Sequence, residues 1–165
     1  MMYIKAKYPN SNRSYTYRIE EQTFPGELVV AANGAKLIVT DEPVDAGWIM
    51  AYGSDKIAVV TKYQYKEEYL IADILHKDTK ERRTDGRYPL RIGRTVKKPF
   101  LRISIPMYLD YLKNSDGSDY SGKVLTTSCI ADLREKDGAL EVTTANSIYI
   151  LKPVEESEDI KDEVI

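Results

Sequence analysis

One stretch constrains the fold more than any other: residues 121–151, in which two alternating segments flank a tight-turn dipeptide. Asp137 and Gly138 accept the positive φ that a two-residue hairpin turn requires. With that turn, Leu133 lies opposite Val142, and the apolar residues of both strands lie on the same face of the hairpin. The period-two apolar set, typical of a half-buried strand, consists of Leu125, Cys129, Ala131 and Leu133. The stretch therefore predicts an antiparallel hairpin.

The length of the return strand is left open by the sequence. Extending the same register places Thr127 opposite Ile148 and Leu125 opposite Ile150, which keeps one face mostly apolar. The Ala-Asn-Ser segment at 145–147 allows an alternative, a second turn that divides the return strand into two.

The first 63 residues predict a series of short strands. Segments 3–8 and 14–19 alternate in polarity and predict a first hairpin. Residues 28–32 and 36–40 flank Asn33-Gly34, a strong hairpin signal. Two further strands are expected at 48–52 and 57–61, the latter buried on both faces. Such spacing is typical of a mainly β (α+β) fold, an antiparallel small barrel or sandwich with one or two short helices.

Two later segments carry the helix predictions. Residues 105–114 are the best helix candidate, because Pro106 suits a first helical turn and an apolar stripe follows it. The stripe consists of Tyr108, Leu109, Tyr111 and Leu112. Residues 65–76 fit either a helical stripe or a buried strand.

At 165 residues, the chain fits one domain, or one domain with a small appendage. The predicted order is an N-terminal β-meander or barrel over 1–63, a basic connecting segment over 64–102, a short helix plus hairpin over 103–153, and an acidic tail over 154–165. The third part is expected to pack with the first as one domain.

The connecting segment carries the strongest functional signal. Residues 62–102 hold twelve Lys or Arg against six Asp or Glu, an excess that the net charge of −2 hides. This composition favours a flexible arm that contacts a nucleic-acid backbone. The alternatives are a solvated loop and a patch that pairs with the acidic C-terminal half. The predicted nucleic-acid-binding residues are Lys80, Arg82, Arg83, Arg87, Arg91, Arg94, Lys97 and Lys98.

The sequence contains little evidence for a catalytic site, a metal site or a cofactor site. Phosphate-loop, dinucleotide and G-x-S-x-G motifs are absent. A single cysteine, Cys129, and a single histidine, His76, leave no metal cluster. A Cys129–His76 dyad is disfavoured because Cys129 is expected on a buried strand face. We therefore predict no enzyme, no cofactor and no metal.

The distribution of apolar residues along the chain predicts its cellular compartment. No apolar run approaches the ~20 residues that span a bilayer. The N-terminus lacks the apolar core of a secretion signal. These features predict a cytoplasmic protein with no membrane partner.

One family resemblance arises from residues 15–19, residues 25–30 and the turn at Asn33-Gly34. This pattern resembles the small β-barrel that opens the replication-restart (primosomal) helicase, and similar segments of small phage and integrative-element proteins of Gram-positive bacteria. The helicase domain binds a DNA end, so the resemblance implies a barrel fold and a link to nucleic acid. Residues 126–149 resemble tails of uncharacterised mobile-element proteins.

Two hypotheses for the function follow. The first is a non-enzymatic binding module of a phage or mobile element that contacts DNA or RNA through the basic segment. The alternative is a protein–protein interaction module, such as a phage inhibitor of a host defence complex. That module would use the acidic tail or a sheet rich in the chain's thirteen tyrosines, which combine a large apolar ring with a polar hydroxyl.

Overall fold

The computed structural model describes residues 1–155. The predicted fold class is confirmed, because the described chain is mainly β, with two antiparallel sheets, one of them a half-barrel, and two short helices. The predicted acidic tail lies outside the described residues, apart from residues 154 and 155.

The N-terminal sheet has five strands in the order β2-β1-β4-β3-β5. Both predicted N-terminal hairpins are confirmed, with Ala6 opposite Tyr15 and Leu28 opposite Ile38. The backbone N–H of Arg18 donates to the carbonyl of Ala58 at 2.9 Å, so the outer strands approach each other and the sheet curls. The strands are β1 Met2–Lys7, β2 Ser14–Ile19, β3 Leu28–Ala31, β4 Lys36–Val39 and β5 Val60–Lys62.

The predicted strand at 48–52 is wrong, since helix α1 spans Ala46–Tyr52. Asp45 begins this helix, because its carboxylate accepts a hydrogen bond from Trp48 N–H at 3.0 Å and satisfies a free helical donor. A 3-10 turn over Ser54–Lys56 follows. The predicted strand at 57–61 is wrong in its burial, because Ala58 and Val59 are exposed and β5 begins only at Val60.

The C-terminal sheet has seven strands in the order β10-β11-β12-β6-β7-β8-β9. Within residues 65–76, which fitted both a helix and a strand, Glu68–His76 form strand β6 between two neighbours, β12 and β7. The strands are β6 Glu68–His76, β7 Thr95–Lys97, β8 Pro106–Lys113, β9 Val124–Cys129, β10 Asp132–Lys136, β11 Ala139–Thr143 and β12 Ser147–Pro153. The second helix, α2, spans Tyr88–Arg91.

The predicted helix at 105–114 is wrong, because these residues form strand β8. Burial follows the two-residue period of a strand: Met107, Leu109 and Tyr111 are buried, whereas Tyr108 and Asp110 are exposed. The same residues also fit a helical stripe, so pairing with β7 and β9 decides the outcome.

The turn of the predicted C-terminal hairpin is confirmed, but the prediction of one long return strand is wrong. Leu133 lies opposite Val142, and Asp137 has the expected positive φ of 54°. Beyond Thr143 the chain turns again, and Ile148 lies opposite Thr143 and Leu75 rather than Thr127. The alternative second turn at 145–147 is therefore the correct one.

Contacts between the sheets centre on a shared core. Leu28 and Ile38 of the first sheet pack in one buried cluster with side chains of the second. Glu135 on β10 accepts a hydrogen bond from the Tyr63 hydroxyl at 2.8 Å and lies 3.2 Å from the Lys36 ammonium.

Tyrosines at this junction predict a loss of stability at alkaline pH. Burial raises the pKa of Tyr63 and Tyr65, and a hydrogen bond to Glu135 raises that of Tyr63 further. In the unfolded chain these hydroxyls ionise at about pH 10. The native state then binds more protons than the unfolded state, so the unfolding free energy is highest below about pH 10 and falls as the pH rises further.

Urea unfolding between about pH 8 and 11 checks this expectation. The unfolding free energy of Tyr65→Phe should fall less steeply with pH than that of the wild type. Equal slopes for the two proteins would contradict it.

Candidate functional site

The structure separates the eight predicted basic residues into groups. Lys80, Arg82, Arg83, Arg87 and Arg91 lie in the loop and helix that follow the C-terminal end of β6. Lys97 and Lys98 lie near the other end, since Lys97 pairs with Glu68. Nine strand residues span about 30 Å, so the segment does not form one continuous basic surface.

The loop after β6 folds back along the same strand. His76 N–H donates to the Glu81 carbonyl at 2.8 Å, and Arg83 N–H donates to the Ile74 carbonyl at 2.8 Å. These bonds fix residues 81–83 beside β6 and direct their side chains to its C-terminal end.

Arg83 anchors this loop rather than standing free. Its guanidinium lies 2.7 Å from the Asp85 carboxylate and donates to Ser147 Oγ at 2.7 Å. The hydrogen bond from Arg83 holds the pKa of Asp85 below its usual range. The guanidinium also lies 3.9 Å from the centre of the Tyr88 ring. With 12% of its side chain exposed, Arg83 is available mainly as a structural contact.

Arg91 contacts the same tyrosine ring as Arg83. Its carbon Cζ is 4.8 Å from the centre of the same Tyr88 ring, and Nη1 donates to the Tyr149 hydroxyl at 3.1 Å. Among residues 1–155 this is its one side-chain hydrogen bond, and a guanidinium has five N–H donors. Arg91 therefore retains donors for a ligand.

A polar cleft of about 270 Å³ opens beside Arg91. It lies where β9 faces α2 and the turn before β12. Of its lining residues, Thr144, Ser147 and Tyr149 are buried. The lining contains six hydroxyl side chains besides Tyr88, and no carboxylate among the described residues. These residues are Tyr88, Arg91, Thr126, Thr127, Ser128, Thr144, Asn146, Ser147 and Tyr149.

Several of these hydroxyls already accept a hydrogen bond from nitrogen. Ser128 Oγ accepts from Ala145 N–H at 3.1 Å, Ser147 Oγ from Arg83, and the Tyr149 hydroxyl from Arg91. Within the described chain no group accepts the protons of these three hydroxyls, whereas Thr127 donates its proton to the Ser128 carbonyl and Thr144 donates its proton to the Ser147 carbonyl. Burial also raises the pKa of Tyr149, so its hydroxyl stays protonated. The cleft consequently presents hydrogen-bond donors, which complement an oxyanion that can only accept.

Two exposed cations, Lys80 and Arg87, lie on the loop between β6 and α2, outside the lining of this cleft. Arg82 pairs with Asp73 at 2.9 Å, and Asp73 lies on the other face of the sheet from Tyr149. Arg82 therefore does not contribute to the cleft. We call Arg91 with the hydroxyl residues the arginine–hydroxyl cleft, and Lys80 and Arg87 its basic rim.

The remaining predicted residues have other surroundings. Arg94 donates to Asn114 at 3.1 Å and lies over the rings of Tyr111 and Tyr120. Lys98 lies 3.9 Å from the Glu67 carboxylate. Neither contributes to the arginine–hydroxyl cleft.

The hydroxyl side of the cleft was missed by sequence reasoning. In the sequence, the runs Thr126-Thr127-Ser128 and Thr143-Thr144 indicated polar strand positions and a resemblance to tails of mobile-element proteins, but no site. Their signal was the density of hydroxyl residues, but the second turn at 145–147 is what brings the two runs together.

The other site predictions concern Cys129, a metal site and the membrane. Cys129 is exposed, so its predicted burial is wrong. Over residues 1–155, no three His, Cys, Asp or Glu side chains are grouped as metal ligands. None of the helices in this range has the length and apolar character of a membrane span.

Comparisons with known proteins complete the description of the site. The resemblance to the primosomal helicase barrel stays a prediction. No family model, curated protein or solved structure matches this chain.

Proposed function

We propose that this protein is a non-enzymatic module that binds the phosphate backbone of DNA or RNA at the arginine–hydroxyl cleft. The observation that carries the proposal is a cleft lined by a guanidinium and hydroxyl donors, without a carboxylate among the described lining residues. The sequence resemblance supports an origin in a phage or mobile element.

The chemistry of the cleft favours phosphate over neutral ligands. A phosphodiester carries a negative charge and offers only acceptor oxygens, which match the donors of Arg91 and the hydroxyls. Arginine is also the side chain whose planar donor pattern fits a phosphate best.

The basic rim favours a polyanion over a single phosphate. Lys80 and Arg87 are exposed, and each can neutralise a further phosphate of a strand that extends from the cleft along this loop. The protein's overall charge is −2, so this attraction is local and directs the strand to one end of the second sheet.

The salt dependence of binding tests this proposal. With Arg91 and the two rim residues as three contacts, the affinity for a single strand should fall by about 20-fold between about 50 and 200 mM salt. Fluorescence anisotropy with a labelled oligonucleotide measures it. The physical reason is the release of counterions from each neutralised phosphate.

No binding to single- or double-stranded DNA or RNA at low salt would contradict the proposal. A salt-independent affinity would also contradict it, because phosphate contacts cannot then dominate.

A second candidate function, protein binding, is favoured by helix α1. Trp48 and Tyr52 stack with ring centres 4.7 Å apart, and Met50 is 84% exposed. Met50 lies two positions from each of these residues and therefore faces a different side of the helix. Exposed apolar side chains such as these are typical of protein interaction surfaces. A stoichiometric protein complex that survives nuclease treatment and is lost in Met50→Asp, together with no oligonucleotide binding, would favour this function over the first.

A further inference from the structure

A second cleft lies on the first sheet's side of the molecule, away from the arginine–hydroxyl cleft. It has a volume of about 340 Å³, which is within the range of small-ligand pockets. Its wall is formed by Leu28, Tyr63, Tyr65, Phe100 and Leu101. We call it the aromatic cleft.

The aromatic wall is partly rigid and partly open. Leu28 and Leu101 are buried in the shared core, and the Tyr63 and Tyr65 rings meet edge to face with centres 4.9 Å apart. Phe100, by contrast, is 57% exposed at the mouth of the cleft. A large apolar ring that folding leaves in water can stack on a planar ligand at little structural cost.

Glu27 places a buried carboxylate in this cleft. Its side chain is 6% exposed, and Oε1 accepts from Thr23 Oγ1 at 2.9 Å and lies 3.6 Å from the Lys62 ammonium. Oε2 forms no hydrogen bond with the described residues. The carboxylate therefore retains an acceptor for a ligand donor.

The hydroxyl of Tyr65 adds a second polar group. It forms no hydrogen bond within residues 1–155, and burial raises its pKa, with Tyr69 and Glu27 adding to the effect. It remains protonated at neutral pH and can donate to a ring nitrogen or accept from an amine.

From this combination we propose that the aromatic cleft binds a nucleobase that carries an exocyclic amino group. The base stacks on Phe100, its amino group donates to Glu27, and its ring edge meets the Tyr65 hydroxyl. A carboxylate prefers such a donor, whereas uracil has no exocyclic amine to offer.

The charges around the cleft favour a neutral ligand. Lys62 is balanced by Glu27, and Lys98 lies 3.9 Å from Glu67. A ligand with its own carboxylate would meet Glu27 and the exposed Glu21, which also lines the cleft. A neutral planar heterocycle fills the apolar space without an unpaired charge.

This inference stands apart from the proposed function, because a nucleoside has no phosphate for the arginine–hydroxyl cleft. The test is a ¹H–¹⁵N NMR titration of the full chain with adenosine, cytidine and uridine. Adenosine and cytidine should give saturable shifts at Leu28, Tyr63, Tyr65 and Leu101, with affinities that change little with salt. Uridine should bind at least fivefold more weakly, since its single ring N–H lies between two carbonyl oxygens that repel the Glu27 carboxylate.

Two variants and a matched control sharpen this test. Phe100→Ala should weaken adenosine binding at least fivefold, as expected for loss of base stacking. Phe24→Ala removes the other phenylalanine, which is also exposed and lies outside the cleft, and should leave affinity unchanged. Tyr65→Phe should weaken binding without altering the spectrum of the free protein elsewhere.

Absence of saturable shifts would overturn the inference. So would equal affinity for uridine and adenosine, or shifts confined to the arginine–hydroxyl cleft. Each of these results leaves the salt-dependent binding of an oligonucleotide as a separate question with its own answer.

Discussion

The Gly26→Ala variant is expected to lose roughly 3 kcal/mol of unfolding free energy, which combines backbone strain with a steric clash. Gly26 has a φ of +92°, and a Cβ there would lie 2.8 Å from the carbonyl oxygen and 2.9 Å from the nitrogen of Ile103. Both contacts are with backbone, so a side-chain rotation cannot relieve them.

The position matters because Gly26 joins the two sheets. Its N–H donates to the Val39 carbonyl at 2.7 Å, and its carbonyl accepts from Ile103 N–H at 3.0 Å. Displacement of Ile103 breaks the second bond and leaves buried backbone groups without partners, which adds to the cost. We expect the clash to loosen the packing between the sheets.

Gly34→Ala is the matched control. Gly34 has a similar φ of +88°, but no heavy atom within 4 Å of the added Cβ. It should lose roughly 1 kcal/mol, the cost of a left-handed alanine alone. Urea unfolding of both variants measures the difference, and equal losses would show that the close approach of Gly26 and Ile103 does not support the fold.

Local turn chemistry explains why the hairpins could be predicted. Asp137-Gly138 fixes both the turn and the register of the residues beside it, whereas Asn33-Gly34 marks the turn of a three-residue loop, in which Ala31 N–H donates to the Ala35 carbonyl. The predicted register becomes less accurate with distance from the turn. The register predicted for Leu133 is right, whereas that for Leu125 is wrong, because Leu125 pairs with Leu109 on β8.

Tertiary pairing explains why other elements could not be predicted. The segment at 105–114 has apolar residues that satisfy a helical stripe and a strand face alike. Its state is decided by β7 and β9, the strands before and after it, which lie outside the segment. At 48–52 the deciding group is a single cap, Asp45, which outweighs the strand preference of Trp48 and Tyr52.

The candidate site, like the fold, could be predicted only in part. Arg91 was among the predicted residues because basic residues are dense in its segment. Its partners in the arginine–hydroxyl cleft come from β9, from the turn before β12 and from β12 itself. No spacing in the sequence connects these segments, so the cleft becomes visible only when they are placed together.

The second large effect is expected at Arg91. Arg91→Ala should weaken oligonucleotide binding roughly 10- to 100-fold, because a charge-assisted hydrogen bond to phosphate is lost inside a cleft. Arg91→Lys keeps the charge and loses the planar donor pattern, so its affinity should fall between the two. Neither change removes a core side chain, but Arg91→Ala removes the hydrogen bond to the buried Tyr149 hydroxyl and should lower the unfolding free energy by about 1 kcal/mol.

Arg13→Ala is the charge-matched control. Arg13 is exposed in the loop between β1 and β2 and lies over the Tyr15 ring at 5.8 Å. Its removal changes the net charge by the same amount as Arg91→Ala. If attraction were a matter of overall charge, the two variants would bind alike.

The most direct measurement is therefore the salt dependence of oligonucleotide affinity in the wild type, Arg91→Ala and Arg13→Ala. We predict that Arg91→Ala binds at least tenfold more weakly than Arg13→Ala and lowers the slope of log affinity against log salt by about one phosphate contact. Identical affinities and slopes in the two variants would contradict the assignment of the arginine–hydroxyl cleft as the phosphate-binding site.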